Sequence, residues 1–157
     1  MRSDANWRPF LMVLSMVAFT TVSGCAAKPA AQPCDDAVES STEVPQAMRD
    51  QELGHGVGQG DVWFVAPEAG HWSDLVTSEG GGAAGKFPMW IGGRDMPQLA
   101  VVGVKGTEGT GRAQLAPTSE GIPGPLPMRI EFPGKGCWQV TAKGKTGTAR
   151  IEVHVKP

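Results

Sequence analysis

Hydrophobic and polar positions along the chain follow two regimes. The first is one apolar block: residues 9–22 hold Phe10, Leu11, Met12, Val13, Leu14, Met16, Val17, Ala18 and Phe19, with no charge among them. From Gly54 onward the chain breaks into short β-rich runs between glycines and prolines, with no sustained 3.6-residue apolar period. These runs predict strands over 62–66, 87–91, 99–104 and 127–132. In the last of these, Met128, Ile130 and Phe132 share one face, and Arg129 and Glu131 the other. Two further runs alternate most cleanly. Over 137–142, Trp138, Val140 and Ala142 point one way. Over 148–155, Ala149, Ile151, Val153 and Val155 do so, with Arg150, Glu152 and His154 opposite. Such alternation marks strands of an antiparallel sheet with one buried face, and the turn formers of 143–147 predict a hairpin joining them. Residues 35–50 are polar and irregular, with a helical turn expected within 44–52.

Six or seven short strands of this kind predict an all-β fold, an antiparallel β-sandwich of two packed sheets over residues 34–157. Trp63 and Trp138 are expected in its core. Cys137 adjoins Trp138, so its side chain is expected on the opposite face of their strand.

The flanks of the apolar block change the picture of where the domain resides. Arg2 and Arg8 precede it, and Val22-Ser23-Gly24-Cys25 follows it. Charged, apolar and small-residue regions in that order make a secretory signal peptide. The purely apolar part is roughly 13 residues, short of the roughly 20 that a transmembrane helix needs. Val22-Ser23-Gly24-Cys25 resembles a bacterial lipobox, so residues 1–24 are expected to be removed and the Cys25 thiol to take a diacylglycerol. Each buried methylene contributes about 0.8 kcal/mol, and two or three chains hold a protein firmly. The competing reading is an ordinary secretory signal whose cysteine is incidental. Residues 25–33 (Cys25 and then Ala-Ala-Lys-Pro-Ala-Ala-Gln-Pro) read as a tether. In a host with two membranes, Ala26 after the lipidated cysteine favours onward transport to the outer one.

Without residues 1–24 the chain has 133 residues, one domain's length, with 12 basic and 15 acidic residues and a net charge of −3. No basic patch stands out, so nucleic acid is not expected as a partner. Of three cysteines, lipid on Cys25 leaves Cys34 and Cys137. Exported pairs usually form a disulfide; two free thiols and a metal site are the alternatives, the latter without a second Cys or His at ligand spacing beside either.

Candidate chemistry is sparse. Gly80-Gly81-Gly82-Ala83-Ala84-Gly85-Lys86 matches the start of a phosphate-binding loop, but Phe87-Pro88 follows where Ser or Thr and a helix are needed; a flexible glycine loop is expected. His55, His71 and His154 with Met48, Met89, Met96 and Met128 raise a copper site, although Cys137 lacks the trailing His and Met of a blue-copper centre. Asp61 and Asp74 pair with His55 or His71 only on paper, and no spacing specifies a triad or paired glycosidase carboxylates. Trp72, Trp90 and His71 are the candidate binding surface if exposed, and core if buried.

Residues 132–141, Phe-Pro-Gly-Lys-Gly-Cys-Trp-Gln-Val-Thr, resemble a group of uncharacterised bacterial exported proteins and lipoproteins that end in a "FPxxGCWEVTG" strand and a further short strand. Gln139 and Ala142 depart from that pattern. Leu53-Gly54 with Asp61-Val62-Trp63-Phe64, Gly70-His71-Trp72, Lys86-Phe87-Pro88-Met89-Trp90 and Leu99-Ala100-Val101-Val102-Gly103 resemble its other segments in order. The resemblance covers roughly 34–155. It implies an immunoglobulin-like sandwich and a Cys34–Cys137 disulfide, and it brings no activity. The expectation is therefore a membrane-anchored, non-enzymatic binding or structural module of the cell envelope, without cofactor. Its partner would be an envelope protein or a glycan; a copper-binding lipoprotein and a carbohydrate-binding module are the other readings.

Overall fold

The computed structural model describes residues 33–39, 41–67, 70–116 and 121–157. Residues 1–24, Cys25 and all of the tether except Pro33 lie outside them. The elements are α1 (Gln46–Arg49), β1 (Gly56–Gln59), β2 (Val62–Val65), a 3-10 turn (Trp72–Leu75), β3 (Val76–Glu79), β4 (Gly82–Ile91), β5 (Gln98–Val104), β6 (Arg112–Leu115), β7 (Gly124–Phe132), β8 (Gly136–Lys143) and β9 (Thr148–Val155). A six-stranded sheet runs β1-β2-β4-β7-β6, with β3 also on β4; a three-stranded sheet runs β5-β8-β9. All pairings are antiparallel, and the two sheets pack as a sandwich.

All six expected strands are present. β7 alternates buried and exposed along its whole length, as the apolar spacing requires. The hairpin of β8 and β9 pairs Ala142 with Ala149 and Cys137 with His154. The three additional strands, β1, β3 and β6, have four residues each and few buried positions. They carry too little apolar pattern to be read from sequence.

The glycine segment is a correction. Only Gly80 and Gly81 form a turn, at φ 52° and 93°; Gly82 to Gly85 are strand. Small residues are needed there because neighbours approach closely. A Cβ on Gly85 would lie 2.6 Å from the Phe87 ring and 2.7 Å from the Leu75 carbonyl. The ten-residue β4 thus pairs β3 along its first half and β2 along its second. Pro88 sits between those stretches, opposite Pro127. Two prolines can face each other in a ladder only as a non-hydrogen-bonded pair, in which neither missing N–H is required.

The inter-sheet core contains Phe64, Trp72, Phe87, Met128, Phe132, Trp138, Val140 and Ile151. Five rings run through it in sequence: Phe64, Trp72, Phe87, Phe132 and Trp138, with neighbouring centroids 6.0–6.4 Å apart. Such contacts add to the area that aromatics bury. A second cluster lies apart from this core: Trp63 and Trp90, directly opposite each other on β2 and β4, are packed with Val44 and Met48. Met48 comes from α1, which lies in the expected helical window. Trp63 is therefore buried as expected, but beneath α1 rather than between the sheets.

Candidate functional site

The densest chemistry lies where the chain enters the domain. Residues 33–39 form a strap across the sandwich. Its first fixed point is a disulfide from Cys34 to Cys137, with S–S 2.06 Å and Cα–Cα 5.5 Å. Asp35 N–H donates to Glu152 Oε2 at 2.9 Å. Trp72 N–H donates to the Asp36 carbonyl at 2.9 Å, and Val38 N–H to the Gly70 carbonyl at 3.3 Å. The strap explains why Cys137 is buried although it lies on the face of β8 opposite Trp138.

Glu152 is the hub of this region. Lys105 Nζ donates to its Oε2 at 2.6 Å and to the Pro33 carbonyl at 3.0 Å. Burial alone would raise the Glu152 carboxyl, but the Lys105 ammonium and the Asp35 N–H outweigh it and hold the group below its ordinary 4.5. Lys105 sits just past β5 with φ 53°, a left-handed conformation that a non-glycine residue adopts at some cost. Two hydrogen bonds hold its side chain there. Thr107 Oγ1 accepts from Cys137 N–H at 2.7 Å, tying the same loop to β8. An open cleft of about 690 Å³ adjoins the disulfide, lined among others by Cys34, Cys137, Lys105, Lys135 and His154. The donor atoms of Cys34, Cys137 and Glu152 lie within 4.8 Å of one another. With the sulfurs bonded to each other, the site offers a carboxylate and an ammonium but no thiolate.

A second group surrounds His71. Its Nδ1 is 3.1 Å from Asp36 Oδ1; the imidazole is half exposed and the carboxylate nearly buried. Asp74, the paper partner, accepts instead from the His71 backbone N–H at 2.8 Å. This caps the 3-10 turn and leaves the ring to the strap. Asp61 is committed elsewhere. Its two carboxylate oxygens accept from Lys145 N–H at 3.0 Å and Thr146 N–H at 3.1 Å, holding the β8–β9 loop against the β1–β2 turn.

The candidate surface of Trp72, Trp90 and His71 is not one exposed patch. Trp72 is 2 % and Trp90 5 % exposed. Trp72 belongs to the inter-sheet core and Trp90 to the α1 cluster, so only His71 reaches solvent. Apolar ring area drives both indoles inward; the sequence announced the helical turn that packs on Trp90, but not that it would cover it. Every tryptophan and phenylalanine among the described residues is buried. Met48, Met89 and Met128 are fully buried too, so they offer no thioether to a surface metal. Cys25 lies outside the described residues.

Sequence reasoning missed Lys105, Asp36 and Glu152 as site residues. Glu152 and His154 were legible as the wet face of β9. Counting back from the hairpin loop sets His154 opposite Cys137, which local ligand spacing does not reveal. Comparison of the chain with protein-family models, curated proteins and solved structures finds no match.

Proposed function

We propose that this protein is a lipoprotein of the bacterial cell envelope, held to a membrane by lipid on Cys25. Its β-sandwich serves as a non-catalytic binding or structural module of immunoglobulin-like build. The observation that carries the reading is the use of the cysteines. Cys34 and Cys137 pair with each other, so the third cysteine has no cysteine of its own chain to join. That third cysteine ends Val22-Ser23-Gly24-Cys25 after a charged and apolar leader. A disulfide also suits an exported domain. In a host with two membranes, Ala26 directs the protein to the outer one.

The immunoglobulin-like description rests on the two antiparallel sheets, the core position of Trp138 and the resemblance of residues 132–141. The disulfide differs from the inter-sheet bridge of antibody domains. It joins the strap to the face of β8 that looks away from the core. In a lipid-anchored protein this has a mechanical use, because the nine tether residues span at most about 30 Å and end at the bridge. A pull on the anchor is delivered to the central strand of the small sheet.

An envelope protein is the favoured partner over a glycan, since no described tryptophan or phenylalanine side chain is exposed for stacking on sugars. The test is fractionation of producing cells with fatty-acid labelling. The wild-type protein should carry label and sediment with membranes, and Cys25→Ser should do neither. Label-free wild type, or a Cys25→Ser protein that still sediments, removes the anchor from the account.

A further inference from the structure

We propose that the free edge of β5 is a self-association site: a second copy of this chain pairs its own β5 there, antiparallel and in register about Leu99. What a strand edge recognises is another strand's backbone, and the pattern of unused groups on this edge selects its own copy. The pairing does not depend on the lipid anchor, so the two readings stand or fall separately.

Backbone groups along a strand point alternately to its two neighbours. Gly103 N–H donates to the Gly109 carbonyl at 2.9 Å, and the Val101 carbonyl accepts from Gly111 N–H at 3.0 Å. Both groups leave β5 on the side away from β8, so the Val101 N–H and the N–H and carbonyl of Leu99 leave on that side too. None of these three has a hydrogen-bond partner among the described residues. The loop after β5 stops covering the edge at Gly111, where a Cβ would lie 2.6 Å from the Glu131 carbonyl and the chain passes to β6 in the other sheet. Other edges are blunted, as exposed edges usually are. β9 carries Arg150, Glu152 and His154, and the strap is tied to it at Glu152. On β1, Gly56 exchanges two hydrogen bonds with Ser41. β3 and β6 are four residues long and carry Glu79 and Arg112. From Met96 to Val104 there is no charge at all.

Two copies fit each other group for group. With Leu99 opposite the second copy's Leu99, each Leu99 N–H donates to the other's carbonyl. Two residues along, the Val101 N–H meets the Pro97 carbonyl of the second copy. Pro97 has no N–H to give in return, and the Val101 carbonyl that would accept it is already taken by Gly111. The side chains favour the same register. Among the described residues, the exposed large hydrophobic side chains are Met96 at 58 % and Val102 at 37 %. They lie three residues before and three after Leu99. Each Met96 therefore falls opposite the second copy's Val102, in a non-hydrogen-bonded pair where side chains approach closely. The result is a two-fold contact using the same patch on both copies. It joins the β9-β8-β5 sheets of the two copies into one.

The experiment uses the mature protein in detergent. Sedimentation equilibrium at matched detergent density should show a monomer–dimer equilibrium. Val102→Lys should weaken it about tenfold, since the change removes two cross-strand pairs at once and sets a charge on each edge. Cross-linking reads the register. Met96→Cys and Val102→Cys, mixed and mildly oxidised, should form a disulfide-linked dimer of one of each. Either variant alone should not, because its two thiols lie far apart across the two-fold. A wild type that stays monomeric at high micromolar concentration overturns the proposal and leaves the edge to a strand of another protein. Either variant linking to itself as readily as to the other overturns it as well. So does a dimer that Val102→Lys leaves unchanged.

Discussion

Cys137 and Trp138 are neighbours in the chain and occupy opposite faces of the three-stranded sheet. Trp138 faces the six-stranded sheet, packs 6.0 Å from Phe132 and satisfies its indole N–H on the Gly134 carbonyl at 3.0 Å. Its surroundings are apolar, contributed by strands whose alternation places them there. Cys137 faces outward into a covalent bond, a carboxylate, an ammonium and a histidine. One face is held by burial, which is non-directional and spread over many residues. The other is held by a few directional contacts, to the strap and to the loop after β5. The inner face therefore tolerates no large loss of volume, and the outer face depends on one linkage and one charge pair.

The widest test of this contrast removes the linkage. Replacing Cys34 and Cys137 together by alanine frees a chain segment of 103 residues, for which chain entropy predicts a loss of about 4–5 kcal/mol. Denaturant unfolding measures it. Hydrogen exchange should also show the Asp35 and Trp72 amides opening before the inter-sheet strands do. Next in size is Trp138→Ala, expected to cost about 3–5 kcal/mol and to speed exchange across both sheets. A uniform response to both changes would erase the distinction between the faces. Met48→Ala should fall at the lower end of about 2–5 kcal/mol. It should loosen α1 over Trp63 and Trp90 while leaving the five-ring core intact, visible as a change in tryptophan fluorescence without loss of strand signal.

The smallest effects are electrostatic and depend on pH. Burial alone would raise the Asp61 carboxyl, but the Thr146 and Lys145 N–H groups outweigh it and hold it below its ordinary 3.8. Its stabilisation is therefore complete above the unfolded value and is lost as pH falls through the lower folded value. The advantage of wild type over Asp61→Asn should be constant at neutral pH and shrink below about 3.8. Glu152→Gln should behave alike with its onset below 4.5. An advantage that grew on acidification would contradict both.

The inner face was legible and the outer face was not, for the same reason. Burial leaves a period-two signature along each strand, and Met128, Ile130 and Phe132 or Ile151, Val153 and Val155 carry it plainly. The helical window over 44–52 and the Cys34–Cys137 pair were legible as well, from residue type and count. The strap left no such signature, since Asp35, Asp36 and Ala37 have no period and meet residues far along the chain. Trp72 and Trp90 show the limit most sharply. A large apolar side chain announces that it will be covered, but not by what; α1 was too short to be foreseen as the cover of Trp90, and the 3-10 turn too short to be foreseen as carrying Trp72 into the core. Gly82 to Gly85 read as a loop because glycine is a turn former; close approach of Phe87 and Leu75 makes it a strand residue here.

Lipid attachment at the third cysteine, beside a closed Cys34–Cys137 pair, is the claim on which location and anchoring rest. Mass spectrometry of the unreduced protein purified from membranes tests both halves at once. The account predicts an N-terminal peptide that begins at Cys25 and carries diacylglycerol, together with one disulfide-linked pair of peptides containing Cys34 and Cys137. An unmodified Cys25, or Cys25 joined to either other cysteine, would contradict it.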